Sequence, residues 1–181
     1  MKQTIVLMLM MLLPASALAA RQVDFGNSGG TLSGSASGLT LSNSTLTTVN
    51  NLYAKGQIIT GMLGTVEFST AAMDSGNIQT GGTFGPGGSF MVIGNGTNGV
   101  ANGTIFTGSW TGETTWTLIT LADGSHNYNL TGVVAGTVYT TYQSYNASGV
   151  TIQLTVNVGT GYFSGSAPLS TGNMNILCRP Q

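Results

Sequence analysis

From Val150 to Val158 apolar and polar residues alternate without a fault. Val150, Ile152, Leu154, Val156 and Val158 fall on one side, and Thr151, Gln153, Thr155 and Asn157 on the other. Side chains of a strand point to opposite faces in turn, so this segment reads as a half-buried β-strand. Weaker copies of the pattern occur at Met62-Gly64-Val66-Phe68, Phe106-Gly108-Trp110, Trp116-Leu118 and Tyr128-Leu130. No ten-residue window after the first twenty residues carries a helical stripe. Asp123-Gly124, between TTWTLITL and NYNLTGVV, predicts a hairpin whose turn uses glycine for its positive φ. Reversals are also predicted at Phe84-Gly85-Pro86-Gly87-Gly88-Ser89 and at Trp110-Thr111-Gly112-Glu113-Thr114. The hydroxyl-rich stretch TLSGSASGLTLSNSTLTTV, residues 31 to 49, reads as one or two strands because Leu32, Leu39, Leu41 and Leu46 punctuate it. Many short strands with Gly and Asn between them predict an all-β, antiparallel β-sandwich or barrel-like domain. A β-solenoid is the alternative architecture, although no fixed repeat period supports it.

The first nineteen residues do not belong to that pattern. MKQTIVLMLMMLLPASALA combines Lys2, an apolar run from Ile5 to Leu13, Pro14 and small residues before Ala20. These are the three parts of a secretory signal peptide, and the run is too short to span a bilayer. The expected organisation is a signal peptide over 1–19, one all-β domain over 20–176 and a short tail over 177–181. The mature chain is expected to be secreted, extracellular or at the cell surface, with no membrane span after cleavage.

Composition then narrows the function. The chain has 181 residues, 28 of them Gly, with four Lys or Arg, five Asp or Glu, one His and one Cys. Beyond the leader only Arg21, Lys55 and Arg179 are basic, too few to neutralise a run of phosphates, so no nucleic-acid partner is expected. One cysteine cannot make an intramolecular disulfide. Gly, Ser, Thr and Asn make up about half of the mature chain, which predicts a neutral exterior of hydroxyl and amide groups.

Candidate chemistry is correspondingly thin. Asp123, Ser125 and His126 are the residue types of a hydrolase triad, but they lie too close together in one turn for nucleophile, base and orienter geometry. Asp123 is expected to cap the turn and His126 to flank it in solvent. Glu67 and Glu113 are the best pair for glycoside hydrolysis, and both are expected to be solvent-facing instead. No catalytic residue is assigned and the protein is expected not to be an enzyme. Lys55, in NLYAKGQ, is expected to be an exposed loop residue. No cofactor is expected, with calcium the one ion considered. Asp24 and Asp74 are its weak candidates, since DFGN and DSGN read as oxygen-rich loops.

Aromatic residues suggest a ligand. Sugar-binding surfaces stack flat rings on hydrated saccharides, and Trp110 and Tyr142 are the two residues favoured for such a role. Tyr139 and Tyr145 would share one strand face with Tyr142 on the other, while Trp116, in step with Leu118, belongs to the core.

Residues 81 to 132, GGTFGPGGSFMVIGNGTNGVANGTIFTGSWTGETTWTLITLADGSHNYNLTG, resemble secreted bacterial proteins of the PEP-CTERM class, which an exosortase sorts to the surface. The resemblance implies a small all-β ectodomain of unassigned activity and no catalytic residue. The class carries a C-terminal Pro-Glu-Pro, an apolar span and an Arg cluster. Residues 175 to 181, NILCRPQ, hold neither tripeptide nor span, which leaves a released relative and a truncated one both open. The reading that follows is a secreted, non-enzymatic surface or extracellular-matrix protein that meets matrix polysaccharide, with a carbohydrate-binding module as the alternative.

Overall fold

The computed structural model describes residues 21–179. The signal peptide expected over 1–19 lies outside them. The described chain is all-β and its strand pairings are antiparallel throughout. Twelve strands follow in order: β1 (Arg21–Ser28), β2 (Thr31–Ser35), β3 (Gly38–Asn50), β4 (Ile58–Ser69), β5 (Met73–Asn77), β6 (Gly81–Phe84), β7 (Gly87–Asn95), β8 (Asn102–Trp110), β9 (Thr114–Thr120), β10 (His126–Tyr139), β11 (Ser144–Asn157) and β12 (Ser166–Arg179).

Their registers reveal a simpler plan than twelve separate elements. β1 and β2 run in line along β3, pairing Asp24 with Asn50 and Ser35 with Gly38. β4 with β5 runs along β6 with β7, since Ser69 opposes Ser89 and Asn77 opposes Gly81. β8 with β9 in turn lines up on β10, through Val134 with Trp110 and Thr131 with Thr115. The chain therefore makes long up-and-down staves in the order β1–β2, β3, β4–β5, β6–β7, β8–β9, β10, β11 and β12. β12 then pairs back onto β1, Val23 opposite Ile176 and Asn27 opposite Gly172. The circuit of pairings closes, so the fold is a barrel, and antiparallel neighbours exclude the solenoid. β5 alone extends past the ring, pairing with β6 on one side.

Two of the predicted reversals are corners inside staves. At 85–86 the chain passes from β6 to β7 without turning back, because both strands pair with the same stave, β9 and then β8. Pro86 has no N–H for the ladder, so pairing lapses there without the direction changing. The same holds at 111–113. The hairpin at Asp123-Gly124 does form: Leu121 N donates to Ser125 O at 2.8 Å, and Gly124 takes φ 79°. The stretch from 31 to 49 folds as β2 and β3.

Alternation inside the barrel fills it. Val150, Ile152, Leu154 and Val156 are buried, and Thr151, Gln153 and Asn157 face solvent. Two aromatic groups anchor the core. In the first, Phe106 meets Phe90, Phe90 stacks with Phe68, and the Trp110 ring stands edge-on to Phe68 and Phe90 at 5.7 and 5.8 Å. Trp116 stacks on Tyr128 at 4.8 Å and meets Phe163 edge-on. Their polar tips satisfy carbonyls where pairing lapses: Trp110 Nε1 donates to Ser69 O, Trp116 Nε1 to Ile78 O and the Tyr128 hydroxyl to Gln79 O. Polar rows outside and apolar rows inside invert the pattern of a membrane-spanning barrel.

Two expectations change here. Met62 does not share the inner face of Val66 and Phe68; it is 76% exposed and Leu63 is buried instead. β4 carries extra residues opposite the step from Leu46 to Thr48, and such a bulge reverses the phase of alternation. The domain does not end at Ile176, because β12 continues through Arg179 and Cys178, 1% exposed, packs into the core. Pairing with β1 and β11 at that level holds the residues expected to form a tail.

Candidate functional site

Odd-numbered stave connections gather at one end of the barrel and even-numbered ones at the other. The β2–β3, β5–β6, β9–β10 and β11–β12 connections share one end. The loops over 51–57, 96–101 and 140–143 share the opposite end, together with the starting residue of β1 and the last of β12. Those three loops converge on a pocket of about 280 Å³ lined by Leu52, Tyr53, Gly99, Thr140 to Gln143 and Tyr145. Segments nearly ninety residues apart in sequence thus build one concavity.

Each loop is tied down by its own residues. In the first, Asn51 N donates to Gln57 O at 2.8 Å, and Gly56 N to Asn51 Oδ1. The Tyr53 hydroxyl accepts the Ala101 N–H at 2.7 Å and so bridges the first loop to the second. In the third, Thr140 N donates to Gln143 O and the Thr140 hydroxyl to the same carbonyl, both at 2.9 Å, closing a four-residue turn. Gln143 Nε2 donates to the Tyr145 hydroxyl. Tyr142 at the tip of the turn is 95% exposed. Tyr139 ends β10 and Tyr145 lies on β11, so the two do not share a strand face as expected; a turn separates them.

Of the two residues favoured for sugar stacking, only Tyr142 is on the surface. Trp110 is 2% exposed and belongs to the core, because its inward neighbours Phe106 and Gly108 set the phase of the strand. Tyr53 was not singled out by alternation. Its signal was an aromatic in an otherwise polar loop, NLYAKGQ, whose Lys55 is exposed as expected.

The calcium candidates lie on strands, not on loops. Asp24 is a cross-strand clamp on β1: its Oδ2 accepts Asn50 Nδ2 of β3 at 3.2 Å and its Oδ1 accepts Asn175 Nδ2 of β12 at 2.6 Å. Asp74 is exposed on β5, and β1 and β5 share no pairing. The pattern DFGN continues a ladder, which consumes its backbone oxygens. Among the described residues no group of three or more His, Cys, Asp or Glu assembles.

His126 does not join Asp123 and Ser125. The Ser125 hydroxyl donates to Asp123 Oδ1 at 2.7 Å and the Ser125 N–H to the same oxygen at 2.9 Å, so Asp123 caps its turn. His126 is buried, against expectation. Its Nδ1 sits 2.8 Å from Gly161 O, which fixes it as the protonated nitrogen, and its ring lies flat on Tyr162 at 4.7 Å. Burial follows from its place as the first inward residue of β10, covered by the β11–β12 loop. Glu67 is level with Met91 and, through it, with Thr107, two strand spacings away and six residues before Glu113. That path is about 20 Å, well beyond the separation of about 5–9.5 Å used by paired glycosidase carboxylates.

The bonds from the Ser125 hydroxyl and N–H hold the Asp123 carboxyl below its ordinary value of 3.8. A depressed folded value means that the turn is stabilised above the unfolded pKa and loses this contribution as pH falls through the folded one. In an NMR titration the Asp123 carboxyl should titrate below 3.8, and Ser125→Ala should move it upward. An Asp123 midpoint that Ser125→Ala leaves unchanged would contradict the cap.

Compared with protein-family models, curated proteins and solved structures, the chain has no match in any of the three.

Proposed function

We propose that this chain is an exported, non-enzymatic β-barrel that serves at the cell surface or in the extracellular matrix. One observation carries the reading: the groups that could do acid–base or nucleophilic work are dispersed, and those in the turn at 123–126 are engaged in structural hydrogen bonds. The leader over 1–19 supports export, and the hydroxyl and amide exterior suits a hydrated polysaccharide matrix better than a polyanion. A carbohydrate-binding module is the second reading, favoured by the tyrosine-lined pocket.

The test is expression of the full chain in an export-competent bacterium, followed by fractionation and intact mass. A product beginning at Ala20 in the medium or on the surface, inert toward a panel of glycans and esters, is the expected result. Retention in the cytoplasm at full mass would overturn the export reading. Turnover of a panel substrate that Glu67→Gln, Glu113→Gln or His126→Ala abolishes would overturn the non-enzymatic one.

A further inference from the structure

We infer that the pocket at the 51–57, 96–101 and 140–143 end is a saccharide-binding site, with Tyr142 as its stacking ring and the Tyr53 and Tyr145 hydroxyls as its polar contacts. The proposal deepens the second reading above and replaces Trp110, which the core has claimed.

Four observations carry it. First, Tyr142 is 95% exposed, and its ring stands on the tip of a turn closed by two Thr140 bonds. A large aromatic held out in water on an ordered turn is unfavourable for folding and favourable for binding, because its position is set before a ligand arrives. Second, the polar atoms around it have hydrogen-bonding capacity to spare. The Tyr53 hydroxyl already accepts from Ala101 N–H and the Tyr145 hydroxyl from Gln143 Nε2, so each keeps its own proton to donate outward. The Gln143 side-chain oxygen Oε1 and the Thr141 hydroxyl add acceptors. Third, the lining combines these groups with Leu52 and aromatic carbon and, among the described residues, contains no charged one. Rings plus neutral donors and acceptors match a sugar, which presents apolar C–H faces and a rim of hydroxyls. Fourth, about 280 Å³ accommodates one or two sugar units rather than a long chain segment.

Arg21, Lys55 and Arg179 all belong to this end of the barrel by their place in the staves. Lys55 is not among the lining residues, so the ligand is a neutral saccharide, and acidic ones become a discriminating outcome.

The experiment uses the mature full chain on an array holding neutral, uronic-acid and sulfated glycans, with calorimetry on the best neutral ligand. Binding should fall at least about tenfold in Tyr142→Ala, the loss expected for one stacked ring. Tyr53→Phe should also weaken it while circular dichroism stays unchanged. Tyr162→Ala, at the opposite end and 53% exposed, should bind as the parent does. A blank array overturns the proposal. So does binding that survives Tyr142→Ala, or binding restricted to acidic glycans and lost with Lys55→Ala. A blank array leaves the export reading standing, whereas cytoplasmic retention would sink that reading and leave binding by purified protein measurable.

Discussion

Trp110→Ala should destabilise the barrel by about 4 kcal/mol, lowering its melting temperature by about 10 °C, and should do so without removing a ligand contact. The indole is 2% exposed and stands edge-on to both Phe68 and Phe90, so truncation empties the centre of that aromatic group. Large-to-small changes of this kind cost about 3–5 kcal/mol, because neighbours fill the cavity only in part. The indole N–H also donates to Ser69 O at 2.9 Å, where the ladder between β4 and β5 lapses. Losing that donor leaves a carbonyl at the corner to find water, and the cost rises toward the upper end of the range. For a domain whose total stability is of order 5–15 kcal/mol, this is a large fraction. Urea unfolding followed by tyrosine fluorescence would measure it. An unchanged midpoint together with lost glycan binding would mean that Trp110 is a surface residue and the packing described above is wrong.

Gly64→Ala should be at least as damaging, although it adds only a methyl group. A Cβ at Gly64 would lie 1.9 Å from Ile93 O and 2.9 Å from Gly94 Cα, both backbone atoms of the paired strand β7. Backbone cannot swing aside as a side chain can. β4 would have to part from β7 where Gly64 pairs with Gly94, and φ of 152° adds strain for any residue with a Cβ. The expected cost is at least about 3 kcal/mol, with much of the product insoluble on expression. Gly112→Ala is the control. Nothing lies within 4 Å of a Cβ built there and its φ is not positive, so that change should be neutral or stabilise by about 0.4–1 kcal/mol. Equal behaviour of the two variants in thermal unfolding would refute the idea that glycine content reflects close approach of strands.

The two substitutions mark the boundary of what was legible. Trp110 is a flat ring of the kind that stacks on a saccharide, which is what favoured it as a ligand contact. Its own alternation with Phe106 and Gly108 already pointed inward. His126 was misplaced for a different reason: a residue next to Asp-Gly looks solvated until the loop over 158–165, distant in sequence, folds across it. The tyrosine pocket was half visible. Tyr142 could be named, but Tyr53 sits nearly ninety residues earlier, and no local pattern relates the two.

The sequence by itself determined which residues face inward wherever alternation runs unbroken along a strand. Period-two alternation is a local property, written within each strand, and it held from Val150 to Val156 as it did at Phe106, Trp116, Tyr128 and Leu130. It also determined the neutral exterior, since the outward positions are mostly Thr, Asn, Ser and Gln, with Ile119, Val133 and Leu177 among the exceptions. Only the tertiary structure decided which strand meets which. Val23 pairs with Ile176 because a curved antiparallel sheet with apolar inner rows must either expose its first and last edges or join them, and joining satisfies both sets of backbone groups. That closure is nonlocal. It turned two apparent reversals into corners, drew residues 177 to 179 into the last strand, and brought three loops to one end, where the candidate site lies.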